Sequence, residues 1–210
     1  MSTGLFISFE GPDGSGKTTV SSFVVEQLIK LGYEVVHTRE PGGIDIAEQI
    51  RHVILEPKNI MMDSKTEALL YAASRRQHLI EKILPALEAG KIVICDRFID
   101  SSLAYQGVGR DIGFDEVLMI NKFAIEDRFP DLTIYLDLPA DVGLQRIKDR
   151  LYLDRLDQET LDFHAKVVEG YKQVIARFSH RIQVINANQA IIHVQEAALD
   201  IVLQKVRNHV

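Results

Sequence analysis

Hydrophobic residues recur along the chain with two alternating periods. Short runs of consecutive apolar residues, typical of strands buried on both faces, alternate with longer stretches in which apolar residues return every three or four positions. The runs predict five strands, over residues 5–10, 33–37, 92–95, 132–138 and 181–185. The longer stretches predict helices over residues 20–31, 44–55, 64–89 and 114–125, near 101, from about 140, over 158–177, and up to about 207.

This order of strands and helices predicts an α/β fold. Strands that are apolar on both faces and joined through helices form parallel sheets covered on both sides, with right-handed crossovers. We therefore predict three layers, with a five-stranded parallel sheet between two layers of helices. No linker, internal repeat or low-complexity tract interrupts the 210 residues, so we expect residues 1–210 to form a single domain.

The predicted helix over residues 64–89 has two faces of different character. We predict that its apolar stripe packs on the core, and that stripe contains Leu69, Ala73, Ile80, Leu84 and Leu87. Tyr71, Arg75 and His78 lie about 140° away around the helix, so that a ring and a guanidinium share one face. That face suits recognition of a base, but a solvated arginine beside a half-buried tyrosine fits the spacing equally well. Ser64 and Glu67 have the spacing of a capping box.

A phosphate-binding motif stands between the first strand and the first helix. Residues 11–18 match the pattern G-x-x-x-x-G-K-[ST] in full. Its glycines let consecutive backbone N–H groups face phosphate oxygens, Lys17 would reach the β and γ phosphates, and Thr18 can ligate Mg²⁺. We therefore predict the fold of P-loop NTPases and an ATP site formed by Gly11, Pro12, Asp13, Gly14, Ser15, Gly16, Lys17, Thr18 and Thr19.

A second acidic position follows the strand predicted over residues 92–95. In P-loop enzymes a carboxylate at the end of another strand holds Mg²⁺ or its water, so Asp96 joins Thr18 as a candidate metal ligand. An aspartate in this place is also a common turn former or helix cap. We expect the neighbouring Cys95 to be a small core residue.

Composition narrows the range of partners and compartments. A formal charge of −6 and an isoelectric point near 5.6 argue against a protein that coats nucleic acid or an anionic membrane. The single cysteine excludes an internal disulfide framework and favours a reducing compartment, so we expect the cytoplasm. No apolar stretch approaches the roughly 20 residues that span a bilayer, and we expect no membrane partner.

A P-loop is compatible with switch GTPases, motor ATPases and small kinases. The sequence Asn121-Lys122-Phe123-Ala124 lacks the aspartate of a guanine-reading element and lies in a helical pattern, which disfavours a GTPase. The predicted core uses almost the whole chain and leaves no power-stroke domain, whereas a small phosphoryl acceptor needs only a cleft at the carboxyl ends of the strands. A small-molecule kinase is therefore favoured, with a deoxynucleoside kinase and an ATP-binding regulator as alternatives.

Charged residues concentrate between residues 143 and 157. Arg146, Lys148, Arg150 and Arg155 alternate there with aspartates, which is compatible with a lid whose guanidiniums close over the transferring phosphoryl group and exclude water. A solvated helix surface has the same pattern.

The sequence resembles the thymidylate kinase family over nearly the whole chain. Five blocks carry the resemblance, of which the Arg-Glu-Pro-Gly-Gly and Ala-Tyr-Gln-Gly elements are specific to the family. They are Phe9-Glu10-Gly11-Pro12-Asp13-Gly14-Ser15-Gly16-Lys17-Thr18-Thr19, Thr38-Arg39-Glu40-Pro41-Gly42-Gly43, Leu69-Leu70-Tyr71-Ala72-Ala73-Ser74-Arg75-Arg76, Asp96-Arg97-Phe98 and Ser101-Ser102-Leu103-Ala104-Tyr105-Gln106-Gly107.

The resemblance implies Mg²⁺-dependent transfer of the ATP γ-phosphoryl group to dTMP, in a homodimer. It also implies a dTMP site. In that site Asp13 would hold the 3′-hydroxyl side of the sugar, Tyr105 would crowd the position of a ribose 2′-hydroxyl, and the acceptor phosphate would lie near Arg39, Arg51 and Arg97. On the base, Tyr71 would stack on thymine, Arg75 would reach thymine O4, and Ser102 and Gln106 would complete the contacts.

Family members differ in the origin of the catalytic arginine, which some carry in the P-loop and others in the lid. The P-loop position here is Gly14, so the resemblance assigns contact with the γ-phosphoryl group to Arg146, to Arg150 or to both. The implied catalytic residues are therefore Lys17, Asp96, Arg97, Arg146 and Arg150. One departure from the family pattern is Asn186-Ala187, where Asp-Ala is common near the adenine end.

Overall fold

The structure, a computed structural model, describes residues 4–148 and 153–209. Its centre is one sheet of five parallel strands in the order β2-β3-β1-β4-β5. The strands are β1 (Leu5–Glu10), β2 (Val35–Arg39), β3 (Ile92–Asp96), β4 (Leu132–Asp137) and β5 (Ile182–Asn186). The predicted parallel five-stranded α/β fold is confirmed.

Nine α-helices and two π-helical segments connect or follow these strands in the described part of the chain. The α-helices are α1 (Lys17–Lys30), α2 (Asp45–Leu55), α3 (Ser64–His78), α4 (Leu84–Glu88), α5 (Ile99–Ser102), α6 (Phe114–Ile125), α7 (Ala140–Ile147), α8 (Leu161–Arg177) and α9 (Ile191–His209). The π-helical segments are π1 (Leu79–Ile83), between α3 and α4, and π2 (Leu103–Gly109), directly after α5.

The strand register brings chemically useful residues to one edge of the sheet. Phe9 on β1 lies opposite Asp96 on β3, and Asp96 in turn lies opposite Arg39 at the end of β2. The P-loop follows β1 at this same edge, between β3 and β4. In open α/β sheets, ligands bind at the carboxyl ends of the strands where the strand order reverses, so this edge is the place for a ligand cleft.

Two apolar clusters hold helices on the two faces of the sheet. Leu5, Ile7 and Phe9 of β1 pack on one face with residues of α1 and α9. Phe6 of the same strand points to the other face, where the core contains residues of α3, α6 and α8. All six positions of β1 are buried, and the burial of its four large apolar side chains contributes about 2 kcal/mol each to folding.

The apolar stripe predicted for the core on the helix over 64–89 is wrong at three of its five positions and confirmed at Leu84, which is partly buried against the core, and at Leu87. Leu69 is 56% exposed, and Ala73 and Ile80 are exposed as well, whereas Leu87 is buried as predicted. The opposite face, with Arg75 and His78, is buried instead. Periodicity identifies an apolar stripe but not what covers it, and here the Arg75–Glu40 ion pair and the contact of His78 with Glu40 make the polar face the inner one.

Element boundaries differ from the predictions where a local contact intervenes. The second strand starts at Val35 instead of residue 33 because the Tyr33 backbone N–H donates to Leu28 O and still belongs to the end of α1. The cap of α3 is Asp63, whose carboxylate accepts from the backbone N–H groups of Lys65 and Thr66. The predicted capping box is therefore wrong, and Glu67 is free for other partners. Within residues 4–148 and 153–209, no helix has the length and hydrophobicity that a bilayer crossing requires.

Candidate active site

A cavity of about 400 Å³ opens at the carboxyl ends of the strands. It is lined by the P-loop, by the ends of β2 and β3, by the middle of α2 and α3, by π2 and by the segment after α7. Fourteen of the site residues that were predicted from the sequence line this cavity. They are Asp13, Gly14, Gly16, Lys17, Thr18, Thr19, Arg39, Arg51, Tyr71, Asp96, Arg97, Tyr105, Gln106 and Arg146. Glu40, Pro41, Leu55, Ser101, Ile147, Asp154, Leu156 and Asp157 line it as well.

The P-loop adopts the conformation that exposes backbone N–H groups at the start of a helix. Gly16 has a left-handed backbone with φ 89°, which a side chain would disfavour, and α1 begins at the next residue. Lys17 Nζ donates to the carbonyl oxygens of Gly11 at 3.0 Å and Pro12 at 2.8 Å. Burial and then repulsion from Arg97 lower the pKa of Lys17 to about 8. The Lys17 ammonium is therefore held by neutral acceptors, ready to exchange them for phosphate.

Helix α7 rests directly on the P-loop through two glycines. A Cβ atom added to Gly14 would overlap backbone atoms of Gly143, and one added to Gly143 would overlap the Asp13 carbonyl oxygen. This close approach brings Arg146 to the P-loop, where its guanidinium donates to Gly14 O and Ala187 O at 3.3–3.4 Å. The sequence pattern gave no sign of the Gly14 and Gly143 contact because the two residues are far apart in the chain.

Thr18 and Asp96 meet at the floor of the cleft. The Thr18 hydroxyl donates to Asp96 Oδ2 at 2.5 Å, so the two candidate metal ligands are adjacent. Hard oxygen donors of this kind suit Mg²⁺, which usually takes only one or two protein carboxylates together with water and substrate phosphates. In the part of the chain that the structure describes, no three Asp, Glu, His or Cys side chains form a metal-binding group. The donor set therefore fits a metal that arrives with a nucleotide.

Asp13, Arg97 and Tyr105 form one partly buried cluster in the wall of the cleft. Arg97 Nη2 donates to Asp13 Oδ1, and the Tyr105 hydroxyl donates to Asp13 Oδ2 at 2.8 Å. Burial raises the pKa of Asp13, but the charges of Arg97 and Lys17 outweigh it and lower that pKa to about 2. Asp13 is consequently a fixed anion that orients Arg97 and Tyr105 rather than a proton acceptor.

Glu10, a fully buried carboxylate, adjoins this cluster. Its Oε2 accepts from Ser101 Oγ at 2.5 Å and from the Tyr171 hydroxyl at 3.1 Å. Burial, followed by the charge of Asp100, raises the pKa of Glu10 to about 7. The Tyr171 hydroxyl is also 3.3 Å from Gly11 O, so α8 is tied to the P-loop by this hydroxyl. The role of Tyr171 was not predicted from the sequence.

Arg39 and Arg51 line the rim of the cleft side by side. Both guanidiniums donate to the Pro41 carbonyl oxygen, at 3.1 Å and 2.8 Å. Burial, and then the charge of the neighbouring Arg39, lower the pKa of Arg51. Arg39 itself forms an ion pair with Glu48, in which Nη2 and Oε1 are 2.8 Å apart. Two guanidiniums converging on one neutral oxygen create a site that suits an anion.

Arg75 and Ser102 lie behind the cleft wall rather than in the cleft lining. Arg75 is 1% exposed, and its guanidinium donates to Glu40, Ser102, Asn121 and the Phe98 carbonyl oxygen. These contacts use four of the five N–H groups of the side chain. Glu40, whose other oxygen contacts His78 Nδ1 at 2.9 Å, does line the cleft. Asn121, which the sequence suggested only as a poor guanine reader, is a buried acceptor for Arg75.

The predicted lid has its ends in the structure. Arg150, a predicted lid residue, lies outside the described residues. Among the predicted P-loop residues, the cleft lining does not include Gly11, Pro12 and Ser15. Arg155 turns away from the cleft, because its guanidinium donates to Glu67 at 2.5 Å and to Ile54 O at 2.9 Å. Asp154, Leu156 and Asp157 are the residues of this segment that line the cleft.

Comparison with known proteins gives concordant matches. The model of the family described as thymidylate kinase matches residues 9–198. A thymidylate kinase of Clostridium novyi is 56% identical over 193 residues, which are 91% of this chain and 94% of that protein. One of Bacillus velezensis is 56% identical over 207 residues, 98% of each chain. The crystal structure of thymidylate kinase from Ehrlichia chaffeensis superposes with a TM-score of 0.78 at 35% identity, covering 96% of this chain and 99% of the other.

Proposed function

The chain belongs to the thymidylate kinase family, and from that premise we propose which of its residues carry out the reaction. The protein is an enzyme that transfers the γ-phosphoryl group of ATP to dTMP, giving dTDP for dTTP synthesis. The observation that carries our assignment is the cleft itself. Its lining brings together the P-loop ammonium of Lys17, the paired guanidiniums of Arg39 and Arg51, and the ring of Tyr71.

At the ATP end, the P-loop residues from Gly11 to Thr19 hold the phosphates. Backbone N–H groups at the N-terminus of α1 face the phosphate oxygens, and Lys17 leaves its carbonyl acceptors for the β and γ phosphates. We assign Mg²⁺ to Thr18 and Asp96, since their oxygens already lie within contact of each other. When bound, this ion neutralises phosphate charge between the two substrates.

At the acceptor end, three arginines hold the dTMP phosphate. Arg39 and Arg51 approach from the β2 and α2 side, and Arg97 is held from the other side by Asp13. No general base is required, because the acceptor phosphate is ionised near neutral pH and needs only positioning and charge neutralisation. The low pKa of Asp13 agrees with this division of roles.

The thymine and deoxyribose contacts follow the shape of the remaining cleft. We assign stacking to Tyr71, exclusion of a 2′-hydroxyl to Tyr105, and a base-edge contact to Gln106, all of which line the cleft. Arg75 supports the site from behind by fixing Glu40 and Ser102, and it has one N–H group left for thymine O4. Asp13 faces the sugar through the same carboxylate that orients Tyr105.

We propose that residues 143–157 act as a lid within a single domain, with Arg146 and Arg150 contacting the γ-phosphoryl group. Arg146 supports this role because it already lies against the P-loop at Gly14. Replacing Arg146 with Met should lower kcat by about 10²–10³-fold and leave the KM for dTMP nearly unchanged, since the guanidinium acts on charge that develops in the transition state.

The matched control is Lys148→Met, which removes a positive charge from the same end of α7 at an exposed position. Steady-state kinetics with ATP and dTMP should show kcat for this variant within about threefold of the parent value. Equal kcat values for the Arg146 and Lys148 variants would contradict the lid assignment.

We also propose a homodimer formed through α2, α3 and α6. These neighbouring helices carry exposed apolar side chains, including Leu69 on α3 and Phe123 on α6, the latter 89% exposed. Ile46 and Val53 on α2, Met119 on α6 and Ile80 on π1, which continues α3, are exposed as well. A self-complementary apolar surface of this kind is typical of a two-fold interface.

The single, buried cysteine supports a reducing, cytoplasmic location.

A further inference from the structure

Glu67 on α3 is a fully buried carboxylate that is surrounded by donors. Gln106 Nε2 donates to its Oε1 at 2.9 Å, and Arg155 Nη2 donates to its Oε2 at 2.5 Å. Arg110 approaches both oxygens, at 3.3 Å and 3.1 Å. The exposed fraction of Glu67 is 0%, so these side chains take the place of water. Among its three partners, Gln106 is the one that lines the cleft.

The carboxylate fixes the orientation of the Gln106 amide. An ionised carboxylate only accepts hydrogen bonds, whereas a glutamine amide donates through its nitrogen and accepts through its oxygen. With Nε2 turned to Glu67, Oε1 lies on the opposite side of the amide group. A flipped amide would set two acceptors against each other in a buried place, which costs the desolvation of both. The two arginines carry only donors, so they too contact Glu67 as an acceptor.

We propose that Glu67 is a positioning residue that selects the pyrimidine base by holding the acceptor oxygen of Gln106 toward the base edge. Thymine and uracil carry a donor N–H at ring position 3, whereas cytosine carries an acceptor nitrogen there. An acceptor locked in the cleft therefore favours the first two bases and rejects the third. This inference rests on the proposed dTMP site, in which Gln106 contacts the base.

The size of the effect follows from the burial of the pair. Gln106 is 1% exposed, so an unmatched oxygen there would find little water to replace the lost contact. Sites built to hydrogen-bond a substrate group reject analogues that lack it far more strongly than apolar pockets reject a missing methyl group. Discrimination between dTMP and dCMP should depend on Glu67, and discrimination between dTMP and dUMP should not.

The experiment compares kcat/KM for dTMP, dUMP and dCMP in the parent enzyme and in Glu67→Gln. The new amide can donate or accept, so Gln106 becomes able to turn either way. The ratio of dTMP to dCMP should fall by about tenfold or more, while the ratio of dTMP to dUMP stays within about twofold. An equal loss for all three acceptors would show a structural role only and would overturn the proposal.

Arg110→Gln is the matched control, because it removes another partner of Glu67 and leaves the bond to Gln106 in place. This variant should keep the parent ratio of dTMP to dCMP. A drop equal to that of Glu67→Gln would mean that loosening around Glu67, not amide orientation, sets the ratio. In a Gln106→Met background, Glu67→Gln should cause no further change of the ratio, because Glu67 acts through that amide.

A measurement on the unaltered enzyme covers the case in which Glu67→Gln does not fold. The side-chain NH₂ of Gln106, identified by NMR from the signal missing in Gln106→Met, should exchange slowly with water both with and without dTMP. Exchange as fast as that of an exposed glutamine would overturn the proposal. If the parent enzyme itself failed to prefer dTMP, the proposed function would fail instead, so the two failures are distinguishable.

Discussion

At the scale of single residues, Lys17 is held by carbonyl groups and has a lowered pKa. The burial of the ammonium and the nearby Arg97 charge bring this pKa to about 8, so the nucleotide-free enzyme loses the Lys17 charge as pH rises through that value. Bound phosphates restore the charge by supplying anions. The loss of the Lys17 proton should therefore weaken the binding of ATP to the free enzyme, and it should not affect the steps that follow ATP binding.

We predict that kcat/KM for ATP declines as pH rises through about 8 while kcat stays flat, since kcat/KM reports the ionisation of the free enzyme. The dTMP phosphate is fully ionised over this range and does not interfere. In Lys17→Arg the positive charge does not titrate, so its profile, at a lower overall rate, should lack the decline. If kcat/KM for ATP declined at the same pH in the parent enzyme and in Lys17→Arg, the assignment of the titration to Lys17 would be contradicted.

Residue-scale prediction from the sequence succeeded where the partners are close in the chain. The P-loop could be recognised because its eight residues are contiguous and each has a fixed role. Glu67 and Gln106 are 39 residues apart, Arg75 and Asn121 are 46 apart, and Glu10 and Tyr171 are 161 apart. Nothing in the local pattern of one partner indicates the other, so these pairs appear only when the fold brings them together.

At the scale of elements, α8 and π2 meet at a point of unusually close approach. A Cβ atom added to Gly170 of α8 would lie 2.8 Å from Ala104 Cα and 2.9 Å from Ala104 O. Both of these are backbone atoms, which cannot move without shifting π2. Since π2 carries Tyr105 and Gln106, the packing of α8 sets the position of this wall of the proposed dTMP site.

We predict that Gly170→Ala lowers the melting temperature and raises the KM for dTMP. Helix propensity alone would favour alanine by about 1 kcal/mol, but forcing the two elements apart costs about 1–3 kcal/mol, and the backbone contact makes the second effect the larger one. Gln173→Ala, at an exposed position of the same helix, should change the melting temperature little. A melting temperature raised by Gly170→Ala, measured by thermal unfolding, would contradict the close packing.

The elements themselves were predictable, but the inward face of α3 was not. Runs of apolar residues located all five strands because strands buried on both faces are apolar throughout. In α3, an apolar stripe with Leu69 is exposed and the polar face with Arg75 is buried, because Glu40 supplies a buried countercharge. Hydrophobic periodicity assumes that polar groups face water, and a fully paired internal charge violates that assumption.

At the scale of the whole molecule, the exposed apolar faces of α2, α3 and α6 are the basis for the proposed dimer. We predict that Leu69→Glu or Phe123→Glu converts the protein to a monomer at micromolar concentration, because a buried unpaired charge at an interface costs several kcal/mol. Light scattering during gel filtration measures the molecular mass directly.

Leu31→Glu is the control for added charge, since Leu31 is an apolar residue about as exposed as Leu69 and lies directly after α1, outside α2, α3 and α6. The Leu31 variant should keep the mass of the parent protein. A parent protein that is monomeric, or a dimer unaffected by both substitutions on α3 and α6, would contradict the proposed interface.

The measurement that tests the central claim most directly is ADP release with Mg²⁺ and ATP in the presence of separate acceptors. The acceptors are dTMP, dUMP, dCMP, dGMP, UMP, AMP and thymidine, with a control that contains no acceptor. We predict the highest kcat/KM for dTMP, with thymidine and the control at background. Turnover of thymidine without turnover of dTMP, or ATP hydrolysis at the same rate without any acceptor, would contradict phosphoryl transfer to a nucleotide held by Arg39, Arg51 and Arg97.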